Sequence, residues 1–306
     1  MAELLIQLLL LAGVVGIGYG LRRTNLVTLH DGQRLQKLLF YVGLPILIFT
    51  SVNQAQLNPG ALLIWWFPIG LSLLLLGLAT LYFRSKTPLA ALQNPLTLSS
   101  IIFQTSLLIP IVYTLYDSSV LARFLVLDLG FAIILIALAN LIIAKNNSTA
   151  DHFKEIISKI TAAPAVWALA VGLLLSQFAI ALPEQLLSGL DFISGIVPSL
   201  ILLSAGILLQ PTLRALQWQH LLVFLVRVLL ATLLASAAWW ILALENVYLH
   251  LFILAAIAPI GLNALWLGKR LGGDQVATKA HVTASLLCFV VILPVALYGL
   301  QLWWPV

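Results

Sequence analysis

Apolar residues run along this chain in blocks of about twenty, separated by short polar connections. Ten blocks can be read, near residues 3–21, 34–53, 61–83, 93–116, 119–144, 162–181, 189–210, 216–243, 248–270 and 276–302. Each is near the length of about 20 residues that carries a helix across the hydrocarbon of a bilayer. The pattern predicts an all-α polytopic membrane protein with ten transmembrane helices and no room for a soluble domain. The longest polar connection is Lys145–Lys159. Within it Phe153, Ile156, Ile157 and Ile160 recur at i, i+3, i+4 and i+7. That spacing predicts a short amphipathic helix, either lying on the membrane surface or serving as a plain linker between two halves.

Two of the blocks carry an interruption. Span 9, in the stretch Leu249–Gly273, contains Pro259, Gly261 and Asn263. Span 4, in the stretch Leu96–Tyr116, contains Gln104, Thr105 and Ser106 before Pro110. A proline inside a helix removes a backbone donor and clashes with the preceding turn, so each span should kink or break. Broken backbone at membrane depth is tolerated only where it is buried in protein or lines a watery cavity. In secondary transporters such discontinuous helices mark the substrate site.

The punctuation also repeats. Pro110 and Pro259 lie 149 residues apart, and Pro45 and Pro198 lie 153 apart, each about half the chain. Five spans per half is an odd number, so the second half is inverted relative to the first. The expected organisation is a first five-helix repeat at 1–144, a cytoplasmic linker at 145–160 and an inverted repeat at 161–306.

Composition agrees with lipid as the solvent. Apolar residues are 62% of the chain, charged residues 8%, and mean hydropathy is +1.11. Soluble domains carry about 25% charged residues. The formal charge of +5 does not indicate nucleic acid, because of where the charges lie. Thirteen of the fifteen basic residues fall in the connections after spans 1, 3, 5, 7 and 9; the exceptions are Arg123 and Arg227. By the positive-inside rule both termini are extracytoplasmic and the protein is multi-pass in the plasma (inner) membrane. No separate signal peptide is expected before the first span. The single Cys288 excludes an internal disulfide and any multi-cysteine metal site.

Several motifs, in order along almost the whole chain, resemble the auxin efflux carrier family. They are Gly18-Tyr19-Gly20-Leu21-Arg22-Arg23 followed by Phe40-Tyr41-Val42-Gly43-Leu44-Pro45, then Ile196-Val197-Pro198-Ser199-Leu200 with Ser204-Ala205-Gly206. Ala258-Pro259-Ile260-Gly261-Leu262-Asn263 with Gly272-Gly273-Asp274 completes the set. That family includes bacterial malate or malonate carriers and the plant PIN auxin exporters. The resemblance implies a bile-acid-symporter/PIN-like fold in which spans 4 and 9 cross at their prolines. It also implies a scaffold of spans 1, 2, 6 and 7 and a transport domain of spans 3–5 and 8–10. The chain departs from the family at Phe103-Gln104-Thr105-Ser106-Leu107-Leu108-Ile109-Pro110, where Asn-Thr-Gly-Phe-Leu-Gly-Leu-Pro is usual. It departs again after Arg227, where Ala231 and Thr232 stand near the place of a common proline.

No hydrolytic, redox or phosphate-loop motif is present, so neither an enzyme nor a cofactor is expected. Candidate chemistry rests on polar groups inside apolar spans, where lipid makes them costly. Asn263 either hydrogen-bonds a substrate or satisfies carbonyls freed by Pro259 one turn earlier. Gln104, Thr105 and Ser106 hold the corresponding place in span 4, and Pro110, Pro259 and Gly261 shape the breaks. Arg227 is either a ligand for a carboxylate or the partner of Asp128 in a buried ion pair. Asp128 is alternatively a proton or sodium site. His281 and His250 read as interfacial anchors at span ends, with His281 a second candidate for proton relay. Tryptophan pairs such as Trp239-Trp240 and Trp303-Trp304 read as an aromatic belt.

The leading function is a secondary carrier that moves a small organic anion, auxin-like or carboxylate, by alternating access. A sodium- or proton-coupled symporter is the alternative, and a membrane-embedded receptor or structural subunit the reading from another class. The expected partners are the anion and the lipid bilayer, with no metal and no nucleic acid; whether the chain forms a homodimer is left open.

Overall fold

In lipid every backbone N–H and C=O must find a partner within the protein, which for isolated spans means the helix. The computed structural model describes residues 2–55, 57, 59–82, 100–143, 149–180, 182–270 and 273–304, and these are helical almost throughout. The first four helices are α1 (Ala2–Arg23), α2 (Leu29–Leu38), α3 (Leu44–Gln54) and α4 (Trp66–Tyr82). A π turn, Leu39–Gly43, joins α2 to α3, and a 3₁₀ segment, Pro59–Trp65, leads into α4. After a second 3₁₀ segment, Thr105–Leu108, come α5 (Ile109–Leu115), α6 (Ser118–Ile143) and α7 (Thr149–Thr161). The chain continues with α8 (Pro164–Gln177), α9 (Glu184–Leu208), α10 (Trp218–Ile241), α11 (Asn246–Ile257), α12 (Asn263–Arg270) and α13 (Gln275–Trp303).

Among the described residues seven helices are long and apolar enough to cross a membrane, or eight if the bent pair Lys154–Thr161 and Pro164–Gln177 counts as one span. All-α membrane architecture follows directly. Residues 93–99 of the expected span 4 lie outside the described residues, as do the basic connections at 84–86 and Lys145.

The matching prolines behave alike. Pro198 sits inside an unbroken α9. Pro45 follows the π turn within a helical span that continues from Leu29 to Gln54.

The helices gather into two compact units. The first comprises Met1–Trp65, Ser106–Leu129 and Ile157–Leu209, so it holds spans 1, 2, 6 and 7 with the second half of span 4 and the first half of span 5. Its centre is the packing of α1 on α9. Gly18 and Gly206 face the opposite backbone, and a Cβ on either would run into it: Leu203 O for Gly18, Val15 O for Gly206. Small residues let backbones approach where apolar lipid supplies no drive for association. Arg22 ties the contact with a 2.9 Å bond from Nη1 to Ile207 O. Elsewhere in this unit Ser176 Oγ donates to Leu57 O and Trp65 Nε1 donates to Val126 O.

The second unit comprises Trp66–Thr105, Gly130–Ile156 and Gln210–Val306. Here α10 packs on α11 and α13. Phe67 of α4 stacks on Phe252 of α11 with ring centroids 4.2 Å apart. Thr212 N donates to Thr283 Oγ1, which fixes the chain before α10 to the first third of α13.

Three helices end in the same way. Asn25, Ala179 and Ala243 have positive φ of 60°, 49° and 48°. In each case the next amide bonds back five residues: Leu26 to Leu21, Ile180 to Leu175 and Leu244 to Trp239. This turn satisfies end carbonyls and favours glycine. Alanine there carries a left-handed penalty of about 1 kcal/mol. Ala243→Gly is therefore expected to raise thermal stability in detergent by about that amount, and an unchanged or lower melting temperature would refute it.

Candidate functional site

In the second unit the break in span 9 lies between α11 and α12, at Ala258–Leu262. Opposite it runs an extended stretch of span 4 at residues 102–104, and an isolated antiparallel bridge pairs Phe103 with Ile260. Gln104 N donates to Pro259 O at 2.9 Å, and Gly261 N donates to Ile102 O at 3.1 Å. Ile260 N donates to Ser285 Oγ of α13 at 3.0 Å, and that hydroxyl passes its own proton to Val282 O. Backbone groups released by one break are thus bonded to the other break or to α13. Gly261 is needed for the approach, because a Cβ there would lie 2.9 Å from Ile102 Cγ2 and 3.1 Å from Gln104 Oε1.

Arg227, on α10, points at this bridge. It is 1% exposed. Nη2 donates to Ala258 O, the carbonyl at the C-terminal end of α11, at 2.7 Å. The guanidinium carbon stands 3.8 Å from the centre of the Phe103 ring and 5.3 Å from that of Phe224. Its Nε and Nη1 have no hydrogen-bond partner among the described residues. A cation facing the negative end of a half-helix is favourably placed, and the aromatic contact adds up to about 2 kcal/mol. Desolvation still costs several kcal/mol for each buried ion. Two buried donors without acceptors make this a cation whose hydrogen bonding is incomplete.

The other candidates fall around it as follows. Gln104 and Gly261 are brought together at the bridge, with Pro259 supplying the carbonyl that binds Gln104 N. Thr105 is buried in the second unit. Asn263 is the first residue of α12, not one turn along it, and is exposed. The half-helix begins later than the proline alone indicates because residues 258–261 are outside any helix and Leu262 forms a turn. Ser106, Pro110 and Asp128 belong to the first unit. Pro110 lies in the first turn of α5 and not at the break, which is at residues 102–104. The Asp128–Arg227 pair would join residues of different units.

Two readings are corrected. His281 is fully buried, with its ring centroid 5.9 Å from that of the buried His220. His250 is 1% exposed and its Nε2 lies 2.7 Å from Trp304 O. Neither is an interfacial anchor, since the helix turns that carry them are covered by neighbouring helices. Sequence reasoning missed Phe103 and the structural role of Ser285. A phenylalanine within an apolar run carries no signal of its own; Ser285, one turn after His281, did offer one.

No model of a protein family matches this chain, and no curated protein matches it in sequence.

Proposed function

We propose that the protein is a secondary carrier for a small organic anion, with ten spans in two inverted five-helix repeats and a site at the crossing of spans 4 and 9. The observation that carries the proposal is Arg227, buried beside paired helix breaks with two donor nitrogens unmatched. A carboxylate is the natural complement, because guanidinium donors match its oxygens in charge and geometry. Phe103 covers one face of the guanidinium, which favours an anion approaching in its plane. The start of α12, with Asn263, adds N–H groups of the right polarity. Support from sequence comes from the motifs resembling the auxin efflux carrier family and from the near-complete confinement of basic residues to alternate connections. In this reading both termini are extracytoplasmic and one compact unit moves against the other.

A second reading is favoured by one observation. His220 and His281 are buried side by side in the unit that holds Arg227. An imidazole can both accept and donate a proton through its two ring nitrogens, so proton-coupled symport is the form of coupling to test first.

The test is binding of benzoate and malonate to purified protein, by thermal shift and calorimetry, followed by uptake into liposomes with and without a pH gradient. Saturable carboxylate binding is expected, insensitive to sodium. Asn263→Ala should weaken it by one or two hydrogen bonds of about 0.5–1.5 kcal/mol each, which is about two- to hundredfold. Absence of binding by any carboxylate would end the proposal.

A further inference from the structure

The first unit contains a cavity of about 310 Å³ that the anion site does not use. It lies where the C-terminal ends of α3 and α5 meet the N-terminal ends of α6 and α9, and Ser51, Gln54, Tyr113, Tyr116, Asp117 and Asp191 line it. Ser51 is 4% exposed, yet its hydroxyl has no hydrogen-bond partner among the described residues. Its neighbour Thr50 shows the ordinary alternative, donating back to Ile46 O at 3.0 Å and Leu47 O at 3.2 Å. Helical hydroxyls usually bond back in that way. Ser51 instead lines the cavity with its hydroxyl unmatched.

The two carboxylates are each half used. Asp117 caps α6, with Oδ1 accepting from Val120 N at 2.8 Å. Asp191 Oδ1 accepts from Gln54 Nε2 at 2.8 Å. In both, the second oxygen has no hydrogen-bond partner among the described residues, and no lysine or arginine is among the described lining residues. Two like charges around one cavity, with no cation among its described lining residues, favour a positively charged occupant and repel an anion.

We propose that this cavity binds a small organic ammonium compound. An ammonium group brings several N–H donors to the free oxygens of Asp117, Asp191 and Ser51. The organic part accounts for the volume and the tyrosines: about 300 Å³ is the lower end of small-molecule sites, and tyrosine rings attract cations. A bare metal ion would leave most of that space unused. The inference is independent of the anion site, since no lining residue belongs to it.

The test uses the full chain purified in detergent, with calorimetric titration of benzylammonium, and with sodium chloride and benzoate as controls. Benzylammonium is expected to bind saturably in the presence of excess sodium. Asp117→Asn and Asp191→Asn should each weaken it by about tenfold or more, the loss of one charge-assisted hydrogen bond. Ser51→Ala should weaken it severalfold. Asparagine keeps the acceptor for Val120 N or Gln54 Nε2, and melting without ligand verifies that each variant is folded. Should one variant fail to fold, the other two decide. No benzylammonium binding, full competition by sodium, or undiminished binding in the folded variants would each overturn the proposal. Benzoate binding that survives in all three variants would belong to the Arg227 site and leaves the amine result to stand by itself.

Discussion

Replacing Arg227 with methionine is expected to abolish carboxylate binding, by about a hundredfold or more, while the protein melts at an unchanged or higher temperature. The binding loss follows from two hydrogen bonds to a charged group, about 1.5–3 kcal/mol each. The stability result is less obvious, because three effects compete. Methionine fills much of the arginine stem's volume but forgoes the contact with Phe103, up to about 2 kcal/mol. It also leaves Ala258 O without its donor, about 1–3 kcal/mol. Against these stands relief from burying a cation short of partners, several kcal/mol. The effects nearly cancel. An ion pair with Asp128 changes the outcome: methionine would then strand a carboxylate and cost about 3–5 kcal/mol. In that case Asp128→Asn alone would also destabilise, and the double variant would recover much of the loss. Melting curves with and without benzoate, alongside titration, separate the cases. Strong destabilisation with binding intact would make Arg227 structural and remove it from the site.

Gly206→Leu is expected to abolish folding of the first unit, and Gly206→Ala to lower the melting temperature by several degrees. The atoms in the way are the backbone of Val15 and Tyr19, not the flexible tip of a side chain. Relief requires α1 and α9 to separate along their length, and overpacking of this kind costs about 1–3 kcal/mol, occasionally more. Separation would also stretch the bond from Arg22 to Ile207 O. Gly13, on the facing helix α1, is the control: a Cβ there meets nothing within 4 Å. Gly13→Ala should be neutral or slightly stabilising, since alanine is the better helix former by about 1 kcal/mol. Equal behaviour of Gly206→Ala and Gly13→Ala, in yield and in melting, would show that the close approach is unimportant.

Helices and the break at Pro259 were legible because both follow from local rules: apolar run length, and a missing donor in mid-span. Placement of the other break was not. Pro110 does not mark it, because proline suits the first turn of a helix as readily as it interrupts one, and here it starts α5. His281 and His250 stand near the ends of apolar runs, yet that place in the sequence does not put them near water. α13 runs from Gln275 to Trp303, and the segment carrying His281 is packed inside the second unit. Arg227 stood out as a charge within a span, but Phe103 beneath it could not, since only the fold distinguishes it from other phenylalanines. The cavity beside Ser51 was illegible for a related reason: its lining comes from helix ends remote in sequence, none with a motif.

The bridge between Phe103 and Ile260 has a consequence for biosynthesis. Its two strands lie about 160 positions apart, and at roughly 5–20 residues per second a ribosome needs about 8–30 s to make the second after the first. Throughout that interval residues 102–104 are already synthesised while Pro259 O and Gly261 N, their eventual partners, do not exist. The nascent first half must therefore wait with bare amide and carbonyl groups, sheltered from lipid by water or by the insertion machinery. A chain truncated before Pro259 never leaves that condition, and membrane proteases that sense exposed backbone are expected to clear it faster than one truncated after Gly261.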